Sequence, residues 1–199
     1  LFALEFCCVY WGLQYTSASR AIVFLYLAPF IVALGMPFIS ASERLRPTQI
    51  AGLCLAFGAL ALAFRDGLVG PASLPSRQWL GDCLSVVAAA FWGLTTLWIR
   101  ATPLATATPE RTLFLQLAVS APIMALASAL AGEPLPQLGS ALAWGSLGYQ
   151  SVVIAFASYL TWFWLLRHYP ATRVSAFTFL TPVLGLVAGV VLLDESLSV

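Results

Sequence analysis

Six stretches of this chain run on without a single charged residue: between Arg20 and Glu43, Arg46 and Arg65, Asp82 and Arg100, Arg111 and Glu133, Glu133 and Arg167, and Arg173 and Asp194. All but the longer stretch from Glu133 to Arg167 are close to the roughly 20 apolar residues that a helix needs to cross a bilayer, and that one exceeds it. Inside a membrane every backbone polar group must be satisfied within the segment, so such stretches can only be helices. Composition agrees, since 61% of the residues are hydrophobic and 9% charged, where soluble proteins carry about a quarter charged residues. The expected fold class is an all-α integral membrane protein, a multi-helix bundle with about six full spans and one partial span. Charge and Pro/Gly punctuation places them near 1–15, 20–40, 47–64, 79–100, 110–131, 140–167 and 172–193. Thr108-Pro109-Glu110 has the chemistry of a helix start, with a capping hydroxyl, a first-turn proline and an acid against the dipole. Arg46-Pro47 and Tyr169-Pro170 mark two further breaks.

The nine basic residues are all Arg and face eight acids, a formal net charge of +1. That balance excludes a basic nucleic-acid binder and an acidic disordered tail. The absence of Lys excludes a retinal Schiff base. Cys7, Cys8, Cys54 and Cys83 lack metal-ligand spacing and read as small packing residues; no metal or cofactor is expected. The opening run is too short for a secretory signal and has no basic leader, so it reads as the end of a spanning helix.

Alternate loops separate by charge. One set holds Arg44, Arg46, Arg100, Arg111, Arg167 and Arg173 with Glu43 and Glu110; the other holds Arg20, Arg65 and Arg77 with Glu133, Asp194 and Glu195, and Asp66 and Asp82 nearby. The richer arginine set is expected in the cytoplasm. The chain also repeats itself. Under the one offset that lays Trp11 on Trp164, the residues Leu13, Ala18, Arg20, Phe24, Leu27 and Pro29 fall on Leu166, Ala171, Arg173, Phe177, Leu180 and Pro182. Glu43 and Glu195 correspond with a one-residue slip. Five segments separate the copies, an odd number, so the second copy is expected upside down, and inverted repeats are an architecture of secondary transporters.

The stretches SASRAIVFLYLAPF, SERLRPTQIAGLCLAFGALALAF and FTFLTPVLGLVAGVVLLDES resemble the two halves of an EamA-domain permease of the drug/metabolite transporter superfamily. The family pattern, a helix with a central proline, a Glu-containing turn and a Gly-bearing helix, falls here on Pro29, Glu43 and Gly52/Gly58, and again on Pro182 and Glu195. The resemblance implies ten helices in two inverted five-helix repeats. By it, 1–65 is the C-terminal part of the first repeat, 66–78 an external linker and 79–199 the second repeat. About the first two helices, part of the third, and the tenth are then missing. It further implies a secondary transporter in the cytoplasmic membrane, read as an exporter of a small, amino-acid-like organic metabolite working by alternating access, not an enzyme. Its partners would be the substrate and the lipid bilayer, with proton coupling as an option and no nucleic acid.

Candidate substrate-binding residues follow from depth. Glu5 lies ten positions before Tyr15 at the external turn, about 15 Å down and near the middle of the hydrocarbon core. An ionisable residue there is a functional hypothesis by default, able to exchange a proton or engage a substrate ammonium; the alternative is a structural carboxyl between helices. Pro29 reaches similar depth, and Pro182 repeats it from the opposite side. Each frees a carbonyl and is either a hinge or a passive kink. Tyr26 and Phe179 sit one turn before the prolines, as cavity lining or as core. Trp92 is too deep for an interfacial belt. Ser158 occupies the repeat position of Glu5. Polar stripes, Ser151/Ser158/Thr161, Asp82/Ser85/Trp92/Thr96 and Thr112/Gln116/Ser120, fall at helical spacing and either line a path or join helices. Gly185-x-x-x-Gly189 reads as close packing. An intramembrane enzyme would need a nucleophile with its base or a metal cluster, yet His168 is the sole histidine and neither G-x-S-x-G nor H-E-x-x-H occurs. A seven-helix receptor leaves the repeat unexplained, and a channel calls for charge rings or a carbonyl filter that are not found.

Overall fold

The computed structural model describes residues 1–65, 68, 77–133 and 139–185. Among these, every regular element is helical: α1 (Phe2–Gly12), α2 (Ala18–Leu25), α3 (Ala28–Ile39), α4 (Pro47–Ala63), α5 (Gln78–Ala101), α6 (Pro109–Leu130), α7 (Ala141–Tyr149), α8 (Tyr159–His168) and α9 (Ala171–Phe177). A π-helical stretch, Gln150–Ser158, joins α7 to α8. Four continuous spans have the length and apolarity to cross a membrane: Ala18–Ile39, Gln78–Ala101, Pro109–Leu130 and Ala141–His168. Phe2–Gly12 and Pro47–Ala63 are shorter apolar helices. The helix from 171 is described as far as residue 185. The 66–78 linker apart from Leu68, Arg77 and Gln78, and also Gly189, Asp194 and Glu195, lie outside the described residues.

Helix starts follow local chemistry. The Thr108 side chain accepts from the Arg111 amide, Ser17 from Arg20 and Ser140 from Ala143, each satisfying a donor that a first turn leaves free. Pro47 opens α4, and the Gln49 side chain accepts from the Arg46 amide at 2.8 Å. α8 closes at His168 and α9 begins at Ala171, so Tyr169-Pro170 is a break.

α5 is the axis on which the rest packs. α1 runs antiparallel to it: a Cβ on Gly12 would stand 3.2 Å from the Gly81 carbonyl, while Leu1 and Phe2 line a cavity with Thr95, Trp98 and Ile99. α2 and α3 run parallel to it, from Thr16 beside Gly81 to Ile31 beside Gly93. A Cβ on Gly81 would come within 2.7 Å of the Gly12 carbonyl oxygen, and one on Gly93 within 2.7 Å of Ile31 Cγ2. These glycines let backbones approach, which drives helix association where lipid tails remove the hydrophobic incentive. One apolar core joins α3, α5, α6, α8 and α9 through Met36, Ile99, Leu113, Leu166 and Val174. A second joins Tyr26, Leu53, Leu60 and Phe179. Large side chains cover the outside, Phe38 at 91% exposure among them, an arrangement suited to lipid and not to water.

Candidate functional site

Both repeat copies break within one residue of the same place. α2 stops at Leu25, Tyr26 and Leu27 form a turn, and helix resumes at Ala28 just ahead of buried Pro29. Lacking an N–H, Pro29 leaves the Leu25 carbonyl without its helical donor. The bonds across the break tighten to three-residue steps, Leu27 N to Phe24 O at 3.1 Å and Phe30 N to Leu27 O at 3.0 Å. In the second copy α9 stops at Phe177, Thr178 and Phe179 form the turn, and helix resumes at residue 180 ahead of buried Pro182. Both helices begin on the residues paired by the repeat, Ala18 and Ala171.

The breaks meet in an aromatic cluster. Tyr26 packs against Phe179 with the rings tilted by 42° and centroids 5.3 Å apart, and meets Trp92 edge-on at 6.1 Å. Phe57 of α4 stands edge-on to Phe179 at 6.4 Å, and the Tyr26 hydroxyl lies within hydrogen-bonding reach of Thr181. Tyr26, Pro29, Phe179 and Pro182 are buried and Trp92 is half-buried.

Glu5 lies on α1 with 8% of its surface exposed. The antiparallel pairing of α1 with α5 sets it at the level of Trp92, between the Gly12–Gly81 contact and the cavity beside Leu1 and Phe2. Among the described residues its carboxyl makes no hydrogen bond. The Leu1 amino group lies within electrostatic reach of it, and so does Tyr159, which is also within reach of Tyr10 and packs edge-on against Phe2 at 5.2 Å. Ser158, one residue earlier, is exposed, and its hydroxyl donates to the Ile154 carbonyl at 2.7 Å. The structure therefore does not aim Ser158 at Glu5. Ser151 and Thr161 are exposed as well. The pairing of Ser158 with Glu5 came from the repeat offset, and the structure brings Tyr159, one residue on, within reach of Glu5 instead.

Two ion pairs also escaped sequence reasoning, because Arg20, Glu43 and Arg100 read as loop charges and Asp82 as part of a helical polar stripe. At one end of α5, Asp82 accepts from Arg20 Nε at 3.1 Å and Nη2 at 2.6 Å, and from the Thr16 hydroxyl at 2.7 Å. At the other end Arg100 Nη2 donates to Glu43, Arg100 Nη1 donates to the Leu166 carbonyl at 3.0 Å, and the Thr172 amide donates to Glu43 Oε2 at 3.2 Å. The partition of arginines between alternate loops was the available signal, since each pair draws both members from one loop set. α5 is thus pinned at both ends around a level that holds Glu5, Trp92 and the aromatic cluster.

The model of the EamA-like transporter family matches residues 1–65 and 79–199. The chain belongs to this family. A protein of Escherichia coli (strain K12) described as a probable amino-acid metabolite efflux pump is 28% identical over 204 residues, covering 99% of this chain. The chain spans 66% of that protein's length. No solved structure matches. Family membership and four helices of spanning length make this EamA chain an integral membrane protein.

Proposed function

We propose that this chain is the translocating part of a secondary exporter of a small amine-bearing organic metabolite, amino-acid-like in size, working by alternating access in the cytoplasmic membrane. Residues 1–65 belong to its first repeat and 79–199 to its second. The observation that carries the reading is Glu5: a carboxyl buried among apolar helices, without a hydrogen-bond partner among the described residues, at the level where two helices are broken. A buried carboxylate without a hydrogen-bond partner is costly. A substrate ammonium or a proton relieves that cost. The aromatic faces of Tyr26, Trp92 and Phe179, at the same level, suit the apolar body of an amphipathic cargo. The breaks before Pro29 and Pro182 act as hinges on which each copy bends, and the pinned ends of α5 act as the contacts that open by turns. The family and the efflux-pump relative support transport over intramembrane catalysis.

Reconstitution of the full-length protein in proteoliposomes tests this with Glu5→Gln, which keeps shape and abolishes titration. If Glu5 binds the ammonium, both uphill transport and substrate exchange fall. If it couples protons, uphill transport is lost while exchange persists. Wild-type rates for both would leave Glu5 a structural carboxyl and overturn the reading. Ser158→Ala serves as the control and leaves both rates unchanged, because its hydroxyl is engaged with its own helix.

A further inference from the structure

A groove of about 500 Å³ runs along α8 and α9, lined in part by Trp162, Leu165, Tyr169, Arg173, Phe177 and Thr181. Tyr169, Arg173, Phe177 and Thr181 are exposed. From Arg173 to Thr181 it extends about 12 Å, just over two helical turns. Among the described residues no acid lines it, and the Arg173 guanidinium has neither a hydrogen-bond nor an ion-pair partner. A cation at the end of a spanning helix calls for a counter-charge when an apolar wall stands beside it.

The internal repeat identifies the place. Under the offset that lays Trp11 on Trp164, the residues Gly12, Thr16, Arg20 and Ala28 fall on Leu165, Tyr169, Arg173 and Thr181. In the first copy those four positions are the seat of α5. A Cβ on Gly12 would stand 3.2 Å from the Gly81 carbonyl, Thr16 and Arg20 both donate to Asp82, and the Ala28 carbonyl lies 3.2 Å from where a Cβ on Gly93 would be. In the second copy the same four positions line the open groove. Position-by-position agreement with a helix seat favours a helix over lipid as its occupant. Arginine is retained, while Leu165 and Tyr169 are larger than Gly12 and Thr16, so the occupant stands further from α8 than α5 does from α1. In an inverted repeat each contact of one copy has its counterpart in the other. α5 opens the second repeat, so its counterpart opens the first and lies ahead of Leu1; the chain spans 66% of the length of its efflux-pump relative.

We propose that this groove seats the spanning helix that opens the first repeat of the full-length protein, and that this helix carries a carboxylate in its first two turns that pairs with Arg173 as Asp82 pairs with Arg20. The helix runs antiparallel to α8 and parallel to α9, as α5 runs on α1 and α2. Its ion pair lies at the Arg100 end, next to Thr172, whose amide donates to Glu43. That end is then fastened twice. The inference rests on the repeat assignment made under the proposed function and not on Glu5 or on transport, so the two readings fail separately.

The test is photo-crosslinking of the full-length protein in native membranes, with p-benzoylphenylalanine at Tyr169 or at Phe177 and identification of the linked peptide by mass spectrometry. Both positions should link within one molecule to the first spanning helix ahead of Leu1, and the Tyr169 link should fall within about two turns of an Asp or Glu. Linkage to phospholipid, to a second copy or to no partner overturns the seat. The charge is tested by Arg173→Glu, which should lower the unfolding temperature by a few degrees, and by replacing that acid with Arg in the same variant, which should restore it. Arg173→Gln gives a second reading if the reversal prevents folding, with a smaller drop that vanishes when the acid is made an amide beforehand. A correct link with no such drop in either variant overturns the ion pair.

Discussion

The two ends of α5 are fastened by the same chemistry in different settings. At the Arg20 end the pair is bidentate and evenly exposed, 16% and 17% for the two side chains, and the hydroxyl that assists it comes from Thr16, just before α2. At the Arg100 end Glu43 is 4% exposed and Arg100 22%, and the bonds reach the turn after α3, the last turn of α8 and the start of α9. The first fastening holds α5 to the helix beside it and, through Arg20 Nη1 and the Leu68 carbonyl, reaches residue 68 beyond α4. The second also holds the broken helix of the other repeat copy, through the Thr172 amide. Parting the bundle at the Arg100 end therefore exposes a buried carboxylate and a backbone donor together, whereas parting it at the Arg20 end costs a partly hydrated pair. In this structure the Arg100 end is the more firmly closed.

The largest expected effect follows from breaking the buried end. Glu43→Ala leaves Arg100 facing the site of its lost partner and the Thr172 amide without an acceptor. Removal of one member of a buried pair costs about 3–5 kcal/mol. Thermal unfolding of the full-length protein in detergent should show the drop, and a cysteine placed at Thr172 should become more reactive to thiol reagents as that end loosens. Stability equal to the wild type would show that the pair is not what closes this end.

At the Arg20 end, Asp82→Asn keeps shape but removes the charge, and the expected loss is smaller, about 1–3 kcal/mol, in the range of charge-assisted hydrogen bonds that retain some solvent. The comparison is direct: if Asp82→Asn lowers the unfolding temperature as far as Glu43→Ala, the difference in burial does not govern the two ends. Gly81→Leu probes the same end by packing. Its side chain meets the Gly12 carbonyl and the Thr16 backbone, groups that cannot swing aside, and overpacking of this kind costs about 1–3 kcal/mol.

Much of the fold was legible because the membrane simplifies the sequence. Charge-free stretches and the residues Thr108, Arg46-Pro47 and Tyr169-Pro170 located helices that the structure places within a few residues. The repeat offset found from Trp11 and Trp164 located both helix breaks. What the sequence concealed depends on rotation about helix axes and on pairing across distance. A nine-residue π-helical stretch cannot be seen in an apolar run, and a repeat offset that lays Ser158 on Glu5 misses Tyr159 by one residue. The partners of Arg20 and Arg100 lie 62 and 57 positions away, and nothing local distinguishes them from ordinary loop arginines. The stripe Thr112, Gln116, Ser120 was visible from spacing alone, but only the hydrogen-bond pattern separates Thr112, which donates to the Thr108 carbonyl, from Gln116, whose buried amide nitrogen has no partner among the described residues.

The smallest expected effect is also the sharpest probe of the Arg20 end. Thr16 is 8% exposed, and its hydroxyl donates to the same Asp82 oxygen that Arg20 Nε reaches. Thr16→Val preserves the branched shape against Gly81 and deletes only that donor, so the expected loss is about 1 kcal/mol. Because Asp82 is the shared acceptor, the effect should not add to that of Asp82→Ala, which removes both acceptor oxygens. In a double-mutant cycle the coupling should approach the whole of the Thr16→Val effect, while the cycle of Thr16→Val with Glu43→Ala, at the opposite end of α5, should close to zero. Coupling of Thr16 to Glu43 would mean that the two fastenings act as one unit along α5, and the contrast between its ends would fail.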